Sequence, residues 1–237
     1  MSRAELLYAF AAAGANVLGG VAVISRARWS LLALDLILSL AAGFLLSVAM
    51  LDLFPEAIAR SGARGAVVVL VAYLLVHLTQ HTLGRHFHFG EETHEVSQVV
   101  SISALIGLLL HTFVDGVAVA SGLRVSASLG ALVFLAILLH KFPEGLAISS
   151  LFLAAGASRL RALLAAAALG AATILGVLLT DQLGVLQNNG LAIAAGVTLY
   201  VGASNLVPEF QAKRGWAIPT SFLLGCGLYL TARSLTL

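Results

Sequence analysis

The sequence predicts an all-α membrane protein with eight transmembrane helices. Of its 237 residues, 60% are hydrophobic and only 10% are charged, and the mean hydropathy is +1.02. Soluble domains carry about 25% charged residues, so this balance excludes a water-soluble globular fold. A helix that crosses a bilayer needs roughly 20 mainly apolar residues. Eight segments meet this requirement, at about 5–24, 31–54, 65–84, 97–121, 127–152, 160–180, 189–208 and 216–235.

The first span follows Met1-Ser2-Arg3 and has some features of a signal peptide. Glu5 lies within it, however, and no small-x-small cleavage site precedes a polar mature region. We therefore expect it to remain as the first membrane span. Because the eight spans occupy most of the chain, the sequence predicts a single transmembrane domain over residues 1–237, with short loops.

Two features of the composition narrow the class of binding partner. The basic residues stand singly or in pairs at the ends of spans, so the pI of about 9.0 does not indicate nucleic acid binding. Cys226 is the sole cysteine, which excludes an internal disulfide and a thiolate metal cluster. The expected partners are a lipid bilayer and a small ion.

The distribution of arginine and lysine between loops predicts the orientation in the membrane. If the termini face outward, the inner loops hold Arg26, Arg28, Arg85, Arg159, Arg161, Lys213 and Arg214. The outer segments then hold Arg3, Arg60, Arg64, Arg124 and Arg233. The excess on the inner side, which includes every paired charge, favours termini outside the cytoplasm. For a chain of bacterial type, this predicts a multi-pass protein of the inner (cytoplasmic) membrane.

Spans two and seven carry a near-repeat, Asp52-Leu53-Phe54-Pro55-Glu56 and Asn205-Leu206-Val207-Pro208-Glu209. Each copy sets a polar residue four positions before a glutamate, with a proline between them. The two spans run in opposite directions, so the copies lie at opposite membrane faces, as an inverted repeat produces. Spans one to three and six to eight then enclose spans four and five in a 3+2+3 arrangement. The alternative is that each Pro-Glu pair simply ends a span at the interface.

Histidines are concentrated around the connection between spans three and four. Imidazole and carboxylate groups suit zinc-like ions, and acidic residues lie among these histidines. We predict weak metal collection here, on the cytoplasmic side, with a solvated polar loop as the alternative. The residues concerned are His77, His81, His86, His88 and His94.

Two polar cassettes lie in the middle of spans four and five. They are His111-Thr112-Phe113-Val114-Asp115-Gly116 and His140-Lys141-Phe142-Pro143-Glu144-Gly145. Each sets a histidine four residues before a carboxylate, so both groups lie on one helical face. An ionisable side chain at membrane depth costs roughly 2.5–3.5 kcal/mol and usually marks an ion or substrate path. Two such faces from neighbouring helices predict a site for one divalent metal ion.

The chemistry of the cassettes favours a carrier over a permanent metal site. Pro143 cannot donate a hydrogen bond to the carbonyl of Leu139, so we expect span five to kink there and make room for ligands. Imidazole with carboxylates holds Zn²⁺, Fe²⁺ or Mn²⁺ less tightly than a thiolate cluster does. A carrier needs that weaker binding in order to release its cargo.

These motifs resemble those of the ZIP (Zrt/Irt-like) family of divalent metal transporters, in its prokaryotic type. The family pattern His-Asn-x-x-Asp/Glu-Gly in span four is met by residues 111–116. The pattern of a polar pair, an apolar residue and Pro-Glu-Gly in span five is met by residues 140–145. The resemblance also covers eight spans, outward termini and the histidine loop. It implies transport of zinc, or of iron, manganese or cadmium, toward the cytoplasm by alternating access, and homodimers occur among relatives.

The resemblance implies a primary metal site on spans four and five. With the neighbouring imidazole of His140 added, the predicted ligands are His111, Asp115, His140 and Glu144. Family members with a two-metal centre have further ligands at the positions of Thr112, Lys141 and, approximately, Thr173. We expect the Lys141 ammonium to take the position of the second ion, which leaves a single-metal centre. Independently of the resemblance, the mirrored near-repeat of spans two and seven predicts an access path bracketed by Asp52, Glu56, Asn205 and Glu209.

Two other functions are compatible with part of the pattern. An intramembrane zinc hydrolase would hold zinc through His111, His140 and a carboxylate and would activate water. The chain lacks a His-Glu-x-x-His helix and an evident nucleophile, which argues against this function. A Schiff-base chromophore on Lys141 would need a ring-lined pocket, and aromatic residues make up only 7% of the chain. We therefore predict a transporter of Zn²⁺ or another divalent transition metal, not an enzyme.

Overall fold

The computed structural model describes residues 2–25, 30–83, 98–207 and 215–236, and every regular element within these ranges is helical. The prediction of an all-α fold is therefore confirmed over the described part of the chain. Among the described residues, five helical stretches are long and apolar enough to cross a membrane. The helices are α1 (Arg3–Ile24), α2 (Leu31–Val48), α3 (Phe54–Leu83), α4 (Gln98–Val125), α5 (Ala127–Ala154), α6 (Arg159–Thr180), α7 (Gly184–Leu199) and α8 (Ala217–Thr236).

The first helix begins with a reciprocal cap. The Ser2 hydroxyl accepts a hydrogen bond from the Glu5 backbone N–H at 3.2 Å, and the Glu5 carboxylate accepts one from the Ser2 backbone N–H. This capping box satisfies backbone donors that the helix itself leaves unpaired. Glu5, which is unusual in an apolar span, therefore has a local structural role at the start of α1.

A glycine breaks the stretch that follows α1. The apolar stretch Leu32–Thr79 has 48 residues, and a straight helix of that length would be about 72 Å long, against roughly 30 Å for a hydrocarbon core. Gly62 interrupts it with φ of +56°, a conformation that favours glycine. A Cβ on Gly65 would lie 2.3 Å from the carbonyl oxygen of Ala57, which is eight residues earlier. Residues this far apart do not touch along a straight helix, so the chain folds back here. The break falls between predicted spans two and three.

Helices α4 and α5 lie against each other at the centre of the fold. Helix α4 also packs on α6 and α7, and α5 packs on α1 and α2. At the sides, α2 packs on α8 and α3 packs on α7. These contacts are symmetric. If α1 is exchanged with α6, α2 with α7, α3 with α8 and α4 with α5, each packed pair becomes another packed pair of the same set. Two repeats around a central helix pair would produce this arrangement.

The glycine that ends each cassette lies where two backbones touch. A Cβ on Gly116 would lie 2.0 Å from the carbonyl oxygen of Thr173, and a Cβ on Gly145 would lie 2.0 Å from that of Asn16. No side chain fits at either point, so α4 contacts α6, and α5 contacts α1, through bare backbone. Close approach at small residues is the usual way that membrane helices pack. Both cassettes are thereby fixed against a flanking helix.

This contact predicts that even a methyl group at position 116 destabilises the fold. In Gly116→Ala, the methyl must push the α6 backbone away, and overpacking of this kind costs about 1–3 kcal/mol. Gly107 of the same helix has nothing within 4 Å of an added Cβ, so it is a matched control. We expect Gly107→Ala to leave the melting temperature of the purified protein in detergent unchanged or higher, and Gly116→Ala to lower it. Equal melting temperatures in the two variants would contradict the contact.

Candidate metal centre

Five ionisable side chains from α4 and α5 meet inside the helix bundle. His111 and Asp115 extend from α4, and His140, Lys141 and Glu144 extend from α5. None of the five residues is more than 6% exposed, and Lys141 is fully buried. The four-residue spacing within each helix therefore does bring both carboxylates and both imidazoles to a common interior site. Pro143 lies within α5, which continues as a helix to Ala154.

The four predicted metal ligands form one cluster. His111, Asp115, His140 and Glu144 each offer one ligand atom, and these atoms all lie within 4.8 Å of one another. Two ligands bound to Zn²⁺ at about 2.1 Å are at most about 4.2 Å apart. The ligand atoms would have to move inward to form a coordination shell around such an ion.

The His140 ring is held in the orientation that metal binding requires. Its Nδ1 lies 2.9 Å from the carbonyl oxygen of Ala136. A carbonyl only accepts, so Nδ1 donates its proton there, and Nε2 is the ring nitrogen left for a metal. That Nε2 lies 3.4 Å from Oδ2 of Asp115. Both atoms would contact a cation placed between them.

Lys141 brings an ammonium group into this cluster of five side chains. Its Nζ lies 2.5 Å from Oδ2 of Asp115 and 2.7 Å from Oε2 of Glu144. Two carboxylates buried without a counter-charge would be very costly, and removing one partner of such a group is strongly destabilising. Lys141 is three residues before Glu144 on α5, so the two side chains lie on the same helical face. The ammonium thus balances both carboxylates.

The cluster retains ligand atoms with no partner. Within the described residues, Oε1 of Glu144 and Nδ1 of His111 are buried and make no hydrogen bond. Oε1 of Glu144 lies 4.0 Å from Nε2 of His111. Nearly all buried polar atoms are hydrogen-bonded, so each exception needs an explanation. Here the explanation is chemical, because a cation bound between these side chains would engage the Glu144 oxygen directly.

The two threonines at the second-site positions have other partners. Thr112 and Thr173 are fully buried. The Thr112 hydroxyl donates to the carbonyl of Leu109 at 3.1 Å, and the Thr173 hydroxyl donates to that of Leu169 at 3.4 Å. Both hydroxyls are thus directed to the backbone of their own helices.

Asp52 lies in a π-helical turn, Ala49–Leu53, which directly follows α2. Its carboxylate accepts hydrogen bonds from the hydroxyl of Tyr229 at 2.6 Å and from Nε of Arg233 at 3.0 Å. Pro55 comes just after the turn and has no N–H to continue the α-helical pattern, and π turns are frequent at functional positions. Asp52, one of the predicted access residues, is thus hydrogen-bonded to two side chains of α8.

The other access residues occupy different settings. Glu56 forms an exposed ion pair with Arg60 at 2.7 Å. Asn205 is half-buried in a second π-helical turn, Tyr200–Leu206, and Glu209 lies outside the described residues. Sequence reasoning missed both π turns, although the proline after each was an available signal.

The histidine cluster is described only in part. His77 is exposed on α3, with its ring centroid 5.8 Å from that of Tyr200. The side chain of His81 and residues His86, His88 and His94 lie outside the described part of the chain. Metal collection by this segment therefore stays a prediction.

Sequence reasoning also missed Asn16, on α1. Asn16 is fully buried, and neither its amide nitrogen nor its amide oxygen has a hydrogen-bond partner among the described residues. The available signal was a strongly polar side chain in the middle of an otherwise apolar span.

One comparison with known proteins gives a match. A family model described as a ZIP zinc transporter matches residues 76–232, about two thirds of the chain. The matched region contains both cassettes and both histidine–carboxylate pairs. No curated protein matches the chain significantly.

Proposed function

This chain belongs to the ZIP family of metal transporters, and we propose that it moves one divalent metal ion at a time toward the cytoplasm by alternating access. The family's members transport divalent metals and are not enzymes, so the zinc hydrolase is set aside. The observation that carries the proposal is the buried group of four ligand atoms on α4 and α5.

The ligand set favours zinc as the cargo. Two imidazoles with two carboxylates suit Zn²⁺ and also accept Fe²⁺, Mn²⁺ or Cd²⁺. Without a thiolate, such a site binds its ion tightly enough to select it and weakly enough to release it. The metal is therefore the transported substrate.

Lys141 supports a centre with a single metal. Its ammonium contacts both carboxylates, and it would repel a second divalent ion at that position. Thr112 and Thr173 offer neutral hydroxyls where relatives with two metals have stronger ligands. The proposed primary ligands are His111, Asp115, His140 and Glu144.

Eight spans with inverted repeats are the proposed arrangement in the membrane, with both termini outside the cytoplasm. The fold-back at Gly62 supports two separate spans within the long stretch Leu32–Thr79. The exchangeable helix pairs support repeats on either side of α4 and α5. We extend the proposal to a single domain over the whole chain in a bacterial-type inner membrane, and to a homodimer by analogy with relatives.

The proposed route passes Asp52 and Glu56 near the outer face and Asn205 and Glu209 near the inner face. Asp52 and Glu56 each have an arginine partner, Arg233 and Arg60 respectively. A passing metal ion must compete with those arginines for the carboxylates. Binding along this route is therefore expected to be weak, as fast passage requires.

Loss of any primary ligand should abolish most transport. We expect His111→Ala, Asp115→Ala and Glu144→Ala each to reduce Zn²⁺ uptake into proteoliposomes by at least about tenfold, because none of the remaining groups replaces a missing ligand. Uptake is measured with an encapsulated zinc indicator at matched protein content. As a control, Thr180→Val changes a buried residue whose hydroxyl donates to the carbonyl of Gly176, and it should transport normally. Full uptake by Glu144→Ala would refute the assignment.

The number of bound ions tests the role of Lys141. We expect the purified protein to bind one Zn²⁺ per chain, because the ammonium repels a second ion beside Asp115 and Glu144. The double variant Lys141→Asp with Thr112→Asn should bind two. Lys141→Met removes the charge without adding a ligand, so it should still bind one. Two tightly bound ions in the unaltered protein, counted by elemental analysis, would overturn the single-metal centre.

Labelling of single cysteines tests the eight spans. In a Cys226→Ala background, cysteines at Ser25 and Ser158 should react with an impermeant thiol reagent from one side of the membrane. Cysteines at Ser61 and Gln182 should react from the other side, because all four positions are exposed at helix ends or breaks. An unreactive position 61 would indicate that the stretch around Gly62 stays inside the membrane, and the eight-span arrangement would be wrong.

A further inference from the structure

In the described part of the chain, buried side-chain nitrogen or oxygen atoms that lack a hydrogen-bond partner occur in three residues. Two of them, His111 and Glu144, belong to the metal centre. The third is Asn16, in which both amide atoms are unpartnered at 0% exposure. Burial of an amide without a hydrogen bond is unfavourable, so its position in the interior needs a reason.

Asn16 lies directly beside the α5 cassette. A Cβ on Gly145, the residue after Glu144, would lie 2.0 Å from the carbonyl oxygen of Asn16. One turn further along α1, a Cβ on Gly19 would lie 2.2 Å from the carbonyl oxygen of Phe142. The backbones of α1 and α5 therefore touch along the segment that carries the ligand Glu144, and Asn16 is level with that segment.

The opposite side of the centre provides a comparison. There, Thr173 of α6 lies against Gly116 in the way that Asn16 lies against Gly145. In both pairs, a Cβ built on the glycine would lie 2.0 Å from the carbonyl oxygen of the partner. Each flanking helix thus carries a buried polar residue next to a cassette. The Thr173 hydroxyl is bonded to the carbonyl of Leu169, whereas the Asn16 amide is bonded to nothing in the described chain. Only the α1 side therefore retains an unused polar group.

We propose that Asn16 binds the cargo ion through its side-chain oxygen, as a ligand from a third helix. This inference rests on the proposed function. An amide oxygen is a neutral, hard ligand that accompanies carboxylates around divalent ions. It adds no charge to a centre in which Lys141 already balances Asp115 and Glu144. The bound cation would also supply the partner that the buried amide lacks.

The test compares Zn²⁺ binding to purified variants in detergent by isothermal titration calorimetry. Asn16→Leu keeps the branched shape of the side chain and removes both polar atoms, so we expect its Kd for Zn²⁺ to rise about tenfold. Asn16→Asp keeps an oxygen and adds negative charge, so it should bind Zn²⁺ equally or more tightly. Thr180→Val, which also makes a buried polar residue apolar, should leave the Kd unchanged.

Thermal melting separates a ligand from a merely structural residue. Metal-free Asn16→Leu should be at least as stable as the unaltered protein, because an unpartnered amide has been removed, but Zn²⁺ should raise its melting temperature less. If the Kd is unchanged in Asn16→Leu while Glu144→Ala loses Zn²⁺ binding, the proposed role of Asn16 is wrong and the proposed function still stands. Absence of Zn²⁺ binding to the unaltered protein would instead overturn the proposed function. If Asn16→Leu does not fold, weaker binding by Asn16→Asp decides against the proposal.

Discussion

The contact of the Lys141 ammonium with Asp115 and Glu144 is the interaction on which the interior of this protein depends. Two carboxylates and two imidazoles are buried together, and this arrangement is tolerable only with a positive charge among them. Lys141 provides that charge from within the chain. It engages Oε2 of Glu144, while Oε1 makes no hydrogen bond within the described part of the chain. The two carboxylates are therefore balanced by a charge from the chain itself, and in the proposed function Oε1 is the atom that remains for the cargo ion.

Backbone contacts determine where this chemistry is located. Gly116 and Gly145 each follow a carboxylate residue and press against a flanking helix with no room for a side chain. The backbone of α4 next to Asp115 is thereby held against α6, and that of α5 next to Glu144 against α1.

The fold class and the metal centre were predictable because their signals are local. Apolar length and the four-residue spacing can each be read from a short segment. Three features were not predictable from such segments. The hydrogen bonds of a π turn depend on neighbouring helices as well as on Pro55, and the burial of Asn16 depends on which face of α1 meets α5. The partners of Asp52 are remote in sequence.

That remoteness has a consequence for biosynthesis. Arg233, the charged partner of Asp52, is 181 positions further along the chain. At about 5–20 residues per second, roughly ten to forty seconds pass between the translation of the two residues. Throughout that interval, the π turn after α2 carries a carboxylate whose arginine partner has not yet been translated. Helix α8 thus supplies, well after α2 has been made, the charge that pairs with Asp52.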